Sequence, residues 1–350
     1  MKLLSESVAT VQSAQSQPNI TIIINHLISP VRVRGPAILA ACSVLITSAL
    51  GGSFFDAAGV SGVTLGTARG GSQTFAASGS TIWNWAAFSF GAMNSSPTSS
   101  ASTSEFCGDV GTMGNSLLAN SKIHEKLMIF TGMKNTLAGH STISKGSYQS
   151  TAYNSILNGV KTAATNAATA ASGKPNTPFG TNSLWITSGI TTTKYSPSNS
   201  TAYSGATIDS SNRAVTLKNF SGIQLGVGAA ANTTYVIRLN DLLLSGVSAI
   251  LTLAGTNTTN YIFNIKNTMG LSGGASIQLT GGIRAQNVLF NIEKGTNNVT
   301  LGANSIMSGI ILAPTRDVLI SGGSHLTGEV IAKTITNNGH SLIQNPLCSP

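Results

Sequence analysis

The chain has 350 residues, of which only 8% are charged, with 38 glycines and a formal charge of +9. Typical soluble domains carry about 25% charged residues, so this surface is built from neutral Ser, Thr, Asn and Gly groups, and an ordinary enzyme domain with charged catalytic clusters is disfavoured. A nucleic-acid protein is disfavoured too: Lys2, Arg32 and Arg34 lie near the start, and the other basic residues are spread thinly with no patch that interleaves aromatics.

Residues 1–51 read as a leader. Arg32 and Arg34 precede the apolar run 36–50, which is too short to span a bilayer and ends in small residues suited to a signal peptidase. This predicts a secreted or cell-surface protein with no membrane span in the mature chain; an amphipathic segment of an intracellular protein is the competing reading. Residues 52–81 then form a linker, 82–345 the main domain, and 346–350 a tail.

Residues 148–171 carry no proline and only Gly159, and place Tyr153, Ile156, Leu157, Val160, Ala164, Ala167 and Ala171 at steps of three and four. That spacing predicts one amphipathic helix, rich in Ala, capped by Ser147 or Ser150 and stopped by Gly173 and Pro175.

The last third repeats one strand. Its copies are 235–239 (Tyr-Val-Ile-Arg-Leu), 261–265 (Tyr-Ile-Phe-Asn-Ile), 288–292 (Val-Leu-Phe-Asn-Ile), 310–314 (Ile-Ile-Leu-Ala-Pro) and 329–333 (Glu-Val-Ile-Ala-Lys), with starts 26, 27, 22 and 19 residues apart. Repeats of this period stack as supersecondary units. Between them, 271–281, 301–309 and 320–328 combine turn residues with isolated aliphatics, so each coil carries two or three strands. The predicted fold is all-β: a parallel β-helix, or β-solenoid, with one long α-helix packed alongside. Aligning the copies places Ile237, Phe263, Phe290, Leu312 and Ile331 in one column and Val236, Ile262, Leu289, Ile311 and Val330 in the next. Adjacent strand residues point to opposite faces, so both faces are apolar here. The helix should cover one, with Tyr153, Ile156, Leu157 and Val160 against the second column.

With Cys42 in the leader, Cys107 and Cys348 remain as an even pair. A disulfide between them is one reading, although spacing alone does not bring their Cα atoms within bonding distance.

The runs 287–292, 309–324 and 327–333, with the opening strand Asn84-Trp-Ala-Ala-Phe-Ser-Phe-Gly91, resemble the choice-of-anchor A family of surface proteins. Ala92 stands where that family has Asp, and no C-terminal anchor motif follows. The resemblance implies an adhesive or structural module at the cell surface. That family in turn resembles ice-binding β-solenoids with a helix laid beside them.

Catalysis by a polysaccharide-active β-helix enzyme would need clustered carboxylates, and Asp209, Asp241, Glu293, Asp317 and Glu329 are scattered. Asp317 reads as a surface partner of Arg316, and Glu329 as the polar edge of a strand. His124, His140, His325 and His340 lack metal-ligand spacing. No catalytic, metal or cofactor site is expected. The binding candidates are Thr191, Thr192 and Thr193, with Thr256, Thr258 and Thr259. An extracellular surface, glycan or matrix protein is the first expected partner, and ice the alternative, which would need a regular array of Thr or Ala on one sheet.

Overall fold

The computed structural model describes residues 85–97, 103–175, 191–194, 206–209, 213–226, 229, 231–346 and 348; the segments 1–51 and 52–81, expected from sequence to be a leader and a linker, lie outside the described residues. The architecture is an all-β parallel solenoid with one long helix beside it. Coils stack in the order 213–225, 234–254, 260–280, 288–308, 310–327 and 329–344. The stack then continues with the chain's earlier coils, 85–107, 109–123 and 127–143. At one end, Thr191–Lys194 and Ala206–Asp209 pair antiparallel to the first coil.

Each full coil has three faces. The first holds the repeated strand, in Thr234–Ser245, Asn260–Ser272 and Val288–Ile292, and then in Trp85–Ser89 and Asp109–Thr112. Inside it, Ile237, Phe263, Phe290, Ile311, Val330 and Ala87 pair in register. Phe263 and Phe290 stack with centroids 4.9 Å apart at 11°. The repeat alignment therefore needs a correction after Phe290. Ile311 and Val330 face the interior, whereas Leu312 and Ile331 lie on the helix side. A shift of one residue exchanges the two faces of a strand. The cause lies at the corner: Ile306–Ile320 and His325–Asn337 run as continuous strands through Gly309 and Gly328. There the backbone takes φ of 141° and 150°, and a Cβ on Gly328 would sit 1.8 Å from the Gly309 oxygen. Only glycine allows that approach.

The helix, α1 (Thr151–Gly173), starts three residues later than the expected boundary at 148, because Ser147–Tyr148 is used as a strand paired to Leu127–Ile129. Its side chains Ile156, Leu157, Val160, Ala164, Ala167 and Ala171 are buried against the first face, in one cluster with Val236, Ile262, Leu289, Ile310, Leu312, Ile331 and Phe88; Tyr153 packs at the edge. The column beneath the helix thus uses Ile310, not Ile311. At the start of α1, Thr131 N donates to Asn154 Oδ1 at 2.9 Å. The last four carbonyls of a helix have no intrahelical donor. Near the end of α1, Ala171 O accepts from Lys174 N at 3.2 Å and from Asn264 Nδ2 at 2.8 Å, Ala168 O accepts from Asn291 Nδ2 at 3.2 Å, and the Arg238 guanidinium donates to Ser172 O and Lys174 O. The repeated strand therefore supplies both the apolar bed and the polar clamp for the helix.

Cys107 and Cys348 are disulfide-bonded, with Cα atoms 5.4 Å apart. The bond crosses a junction where coils distant in sequence meet. There Leu342–Gln344 pairs parallel with Ser104–Cys107, and Asn345 Nδ2 donates to Trp85 O at 2.7 Å.

Candidate functional site

Among the described residues, two faces of the coils carry no covering element, and their outward side chains differ. On the second face, alternation buries Val215, Leu242, Leu244, Met269, Leu271, Val299, Leu301, Val318, Ile320 and Ile335. The residues between them point out. In register, coil by coil, these are Thr216, Leu243, Gly270, Thr300, Leu319, Thr336, Asn94, Leu117 and Thr136. All are half-buried or exposed and none is charged. A parallel ladder holds neighbours in such a row about 4.8 Å apart. Two residues further along lies a row that includes the paired Ser245 and Ser272 and, at the other end of the stack, Ala119 and Ala138. The row on the other side carries Asp241 and Asp317, and both acids are held down: Asp241 Oδ1 accepts from Thr268 N at 3.0 Å, and Asp317 Oδ1 from Thr334 Oγ1 at 2.7 Å.

The third face is uneven. Its outward row reads Gly222, Ile250, Ser276, Ile306, His325, Leu342, Glu105, Lys122 and Thr142. Glu105 Oε2 lies 2.6 Å from His124 Nε2, and His325 Nε2 lies 3.1 Å from Gln344 Oε1. Long polar groups bonded across coils break the regularity of this row.

The threonines singled out from sequence do not come together. Thr191, Thr192 and Thr193 form an antiparallel strand against 222–224 at one end of the stack. Thr256, Thr258 and Thr259 lie in the turn between the third and first faces. Thr256 Oγ1 is 3.2 Å from Thr258 Oγ1 and 3.1 Å from Thr259 Oγ1, while Thr259 is buried and its hydroxyl accepts from Thr256 N at 3.0 Å. These hydroxyls shape a turn. The row that sequence reading missed carries no local motif, because one residue comes from each coil and the coils do not stack in chain order.

Two acids differ from their expected settings. Glu329 is fully buried on the helix side, paired in register with Ile310, and neither of its oxygens has a hydrogen-bond partner. Burial pushes its carboxyl well above the usual carboxylate range. Arg316 is buried rather than a surface partner of Asp317. Its guanidinium donates to the carbonyls of Glu293 (2.8 Å), Asn297 (3.1 Å), Lys266 and Asn267, tying coils together at the corner between the first and second faces. Asp317 instead has Lys333 Nζ at 3.6 Å. Among the described residues, no three His, Cys, Asp or Glu side chains gather as metal ligands, and no helix is long and apolar enough to cross a membrane.

No curated protein sequence matches this chain. Similar solved structures include a glycosylated ice-binding protein from an Arctic yeast, at 17% identity and a TM-score of 0.48, covering 76% of this chain and 93% of that one. An ice-binding protein from the Antarctic ascomycete Antarctomyces psychrotrophicus has 15% identity and a TM-score of 0.44, with 75% and 94% covered. A domain of an ice-binding protein from Shewanella frigidimarina has 14% identity and a TM-score of 0.40, with 75% and 93% covered. None of these matches is a choice-of-anchor A protein. Residues 92–342 match the Ice-binding-like family; this spans well over half of the sequence, and the chain belongs to that family.

Proposed function

We propose that this protein works outside the cell, without catalysis, by binding ice through its second face. The observation that carries this reading is the in-register row Thr216, Leu243, Gly270, Thr300, Leu319, Thr336, Asn94, Leu117 and Thr136, short and uncharged through the whole stack. A charged side chain orients water strongly around itself. A row of hydroxyl and methyl groups at a fixed spacing of about 4.8 Å lets first-layer waters bond to the protein and to one another. A rigid solenoid holds that row straight without ordering it anew on contact, which removes an entropic cost of binding. Family membership favours ice over the adhesive reading, and nothing on this face favours a glycan or matrix protein. The disulfide supports an oxidising, extracellular setting.

The test is thermal hysteresis and inhibition of ice recrystallisation by the full chain. Thr300→Tyr or Thr336→Tyr, which raises a bulky ring in the row, should abolish both activities, while Thr327→Tyr on the third face should leave them intact. An inactive wild type, or loss only with Thr327→Tyr, refutes the assignment.

A further inference from the structure

In four coils the chain passes from the first face to the second in one continuous strand: Thr234–Ser245, Asn260–Ser272, Ile306–Ile320 and His325–Asn337. The coil 288–308 lies between two of these and breaks at that corner. There Val288–Ile292 ends, residues 293–298 form no strand, and a separate strand of three residues, Val299–Leu301, carries Thr300. Residues 294–298 are exposed. Thr300 therefore reaches the outward row through a loop rather than by continuation of a first-face strand. Its place there is tight: it lies in register between Gly270 and Leu319, and a Cβ on Gly270 would come within 3.1 Å of Thr300 Oγ1.

Backbone polar groups outside a ladder need other partners, and Arg316 supplies them. Its side chain is buried, and its guanidinium donates to Glu293 O and Asn297 O, at the two ends of the loop, and to Lys266 O and Asn267 O in the next coil. Gly295 closes over it, since a Cβ there would overlap Arg316 Nη2. Asn297 Nδ2 adds one bond to Thr268 Oγ1 at 3.0 Å. A planar fork of donors can serve carbonyls from two coils at once, which the point donor of a lysine cannot. We infer that Arg316 is a positioning residue for the proposed ice-binding row: it holds the loop 293–298 in one conformation and so fixes Thr300 level with its neighbours before ice is met. A contact fixed in advance is not ordered at a cost on binding. This inference rests on the ice-binding reading of the second face.

The experiment compares the full chain with Arg316→Met, Arg316→Lys and Gly295→Ala by thermal hysteresis and ice recrystallisation inhibition. Circular dichroism near the freezing point establishes which variants are folded. Folded Arg316→Met and Arg316→Lys should both lose most of the activity, the lysine variant because it keeps the charge without the fork. Their changes in amide shift and hydrogen exchange should be confined to 293–301 and the carbonyl partners at 266–267. Gly295→Ala pushes the guanidinium from the loop side without removing it, should give the same loss, and decides the matter if Arg316→Met does not fold. Arg238→Met, which removes the guanidinium at the end of α1, should lower the unfolding midpoint yet leave activity intact, separating positioning from general destabilisation. An inactive wild type refutes the ice-binding reading and this assignment with it. If Thr300→Tyr abolishes activity but folded Arg316→Met and Gly295→Ala keep it, or if Arg238→Met loses as much as they do, the assignment of Arg316 alone is overturned.

Discussion

The stacked pair Phe263 and Phe290 is the most direct test of the coil register. Both rings are buried, with exposures of 1% and 0%, and they lie 4.9 Å apart, nearly parallel at 11°. Phe290→Ala removes a ring whose neighbours cannot follow: Ile311 and Ile265 belong to ladders fixed by backbone pairing on both sides. The site therefore should not collapse, and the cost should sit in the range for buried aromatics, about 3 to 5 kcal/mol. For a domain of this size each kcal/mol moves the midpoint of thermal unfolding by about 2 to 4 °C, so a fall of roughly 6 to 20 °C is expected from those two ranges. Phe263→Ala should cost a similar amount. The double variant should cost less than the sum, by the stacking contribution of about 0.5 to 1.5 kcal/mol. Guanidinium unfolding with an unchanged m-value is the assay. A loss for Phe290→Ala below about 1 kcal/mol, as at a surface position, or strict additivity of the pair, would show that these rings do not share one inward column.

Two further outcomes follow from buried groups. Burial holds the Glu329 carboxyl protonated to higher pH in the folded protein than an exposed carboxyl, whose ordinary value is 4.5. The stability it contributes is therefore present in full below that pH and is lost as pH rises through the higher folded value. Unfolding midpoints of the wild type should fall over that interval relative to Glu329→Gln, and parallel pH profiles would contradict the burial. Cys107→Ser, or reduction of the wild type, opens a link between residues 241 apart in sequence and should cost about 2 to 5 kcal/mol. Hydrogen exchange should rise first at 104–107 and 342–344, and protection unchanged there would argue against a stapled seam.

The sequence by itself determined the solenoid, because its evidence is local. Five like strands recur at coil spacing, and the stripe from Tyr153 to Ala171 has helical period, so both elements are legible from neighbours a few residues apart. It also marked the covered face, since a strand apolar on both sides needs a cover. The same property hid the register after Phe290. With Ile310, Ile311 and Leu312 all apolar, nothing in the alternation says which one points inward, and only backbone pairing through the Gly309 and Gly328 corner decides it. That choice turns Glu329 from a polar edge into a buried acid.

Tertiary structure alone decided the outward row as well. Thr336 lies beside Asn94, and Asn94 beside Leu117, because the chain's first coils stack on its last. A row that takes one residue per coil, across a junction that joins residues more than two hundred apart, has no period along the sequence. Its regularity exists only across strands, in the direction where hydrogen bonds rather than covalent bonds set the spacing.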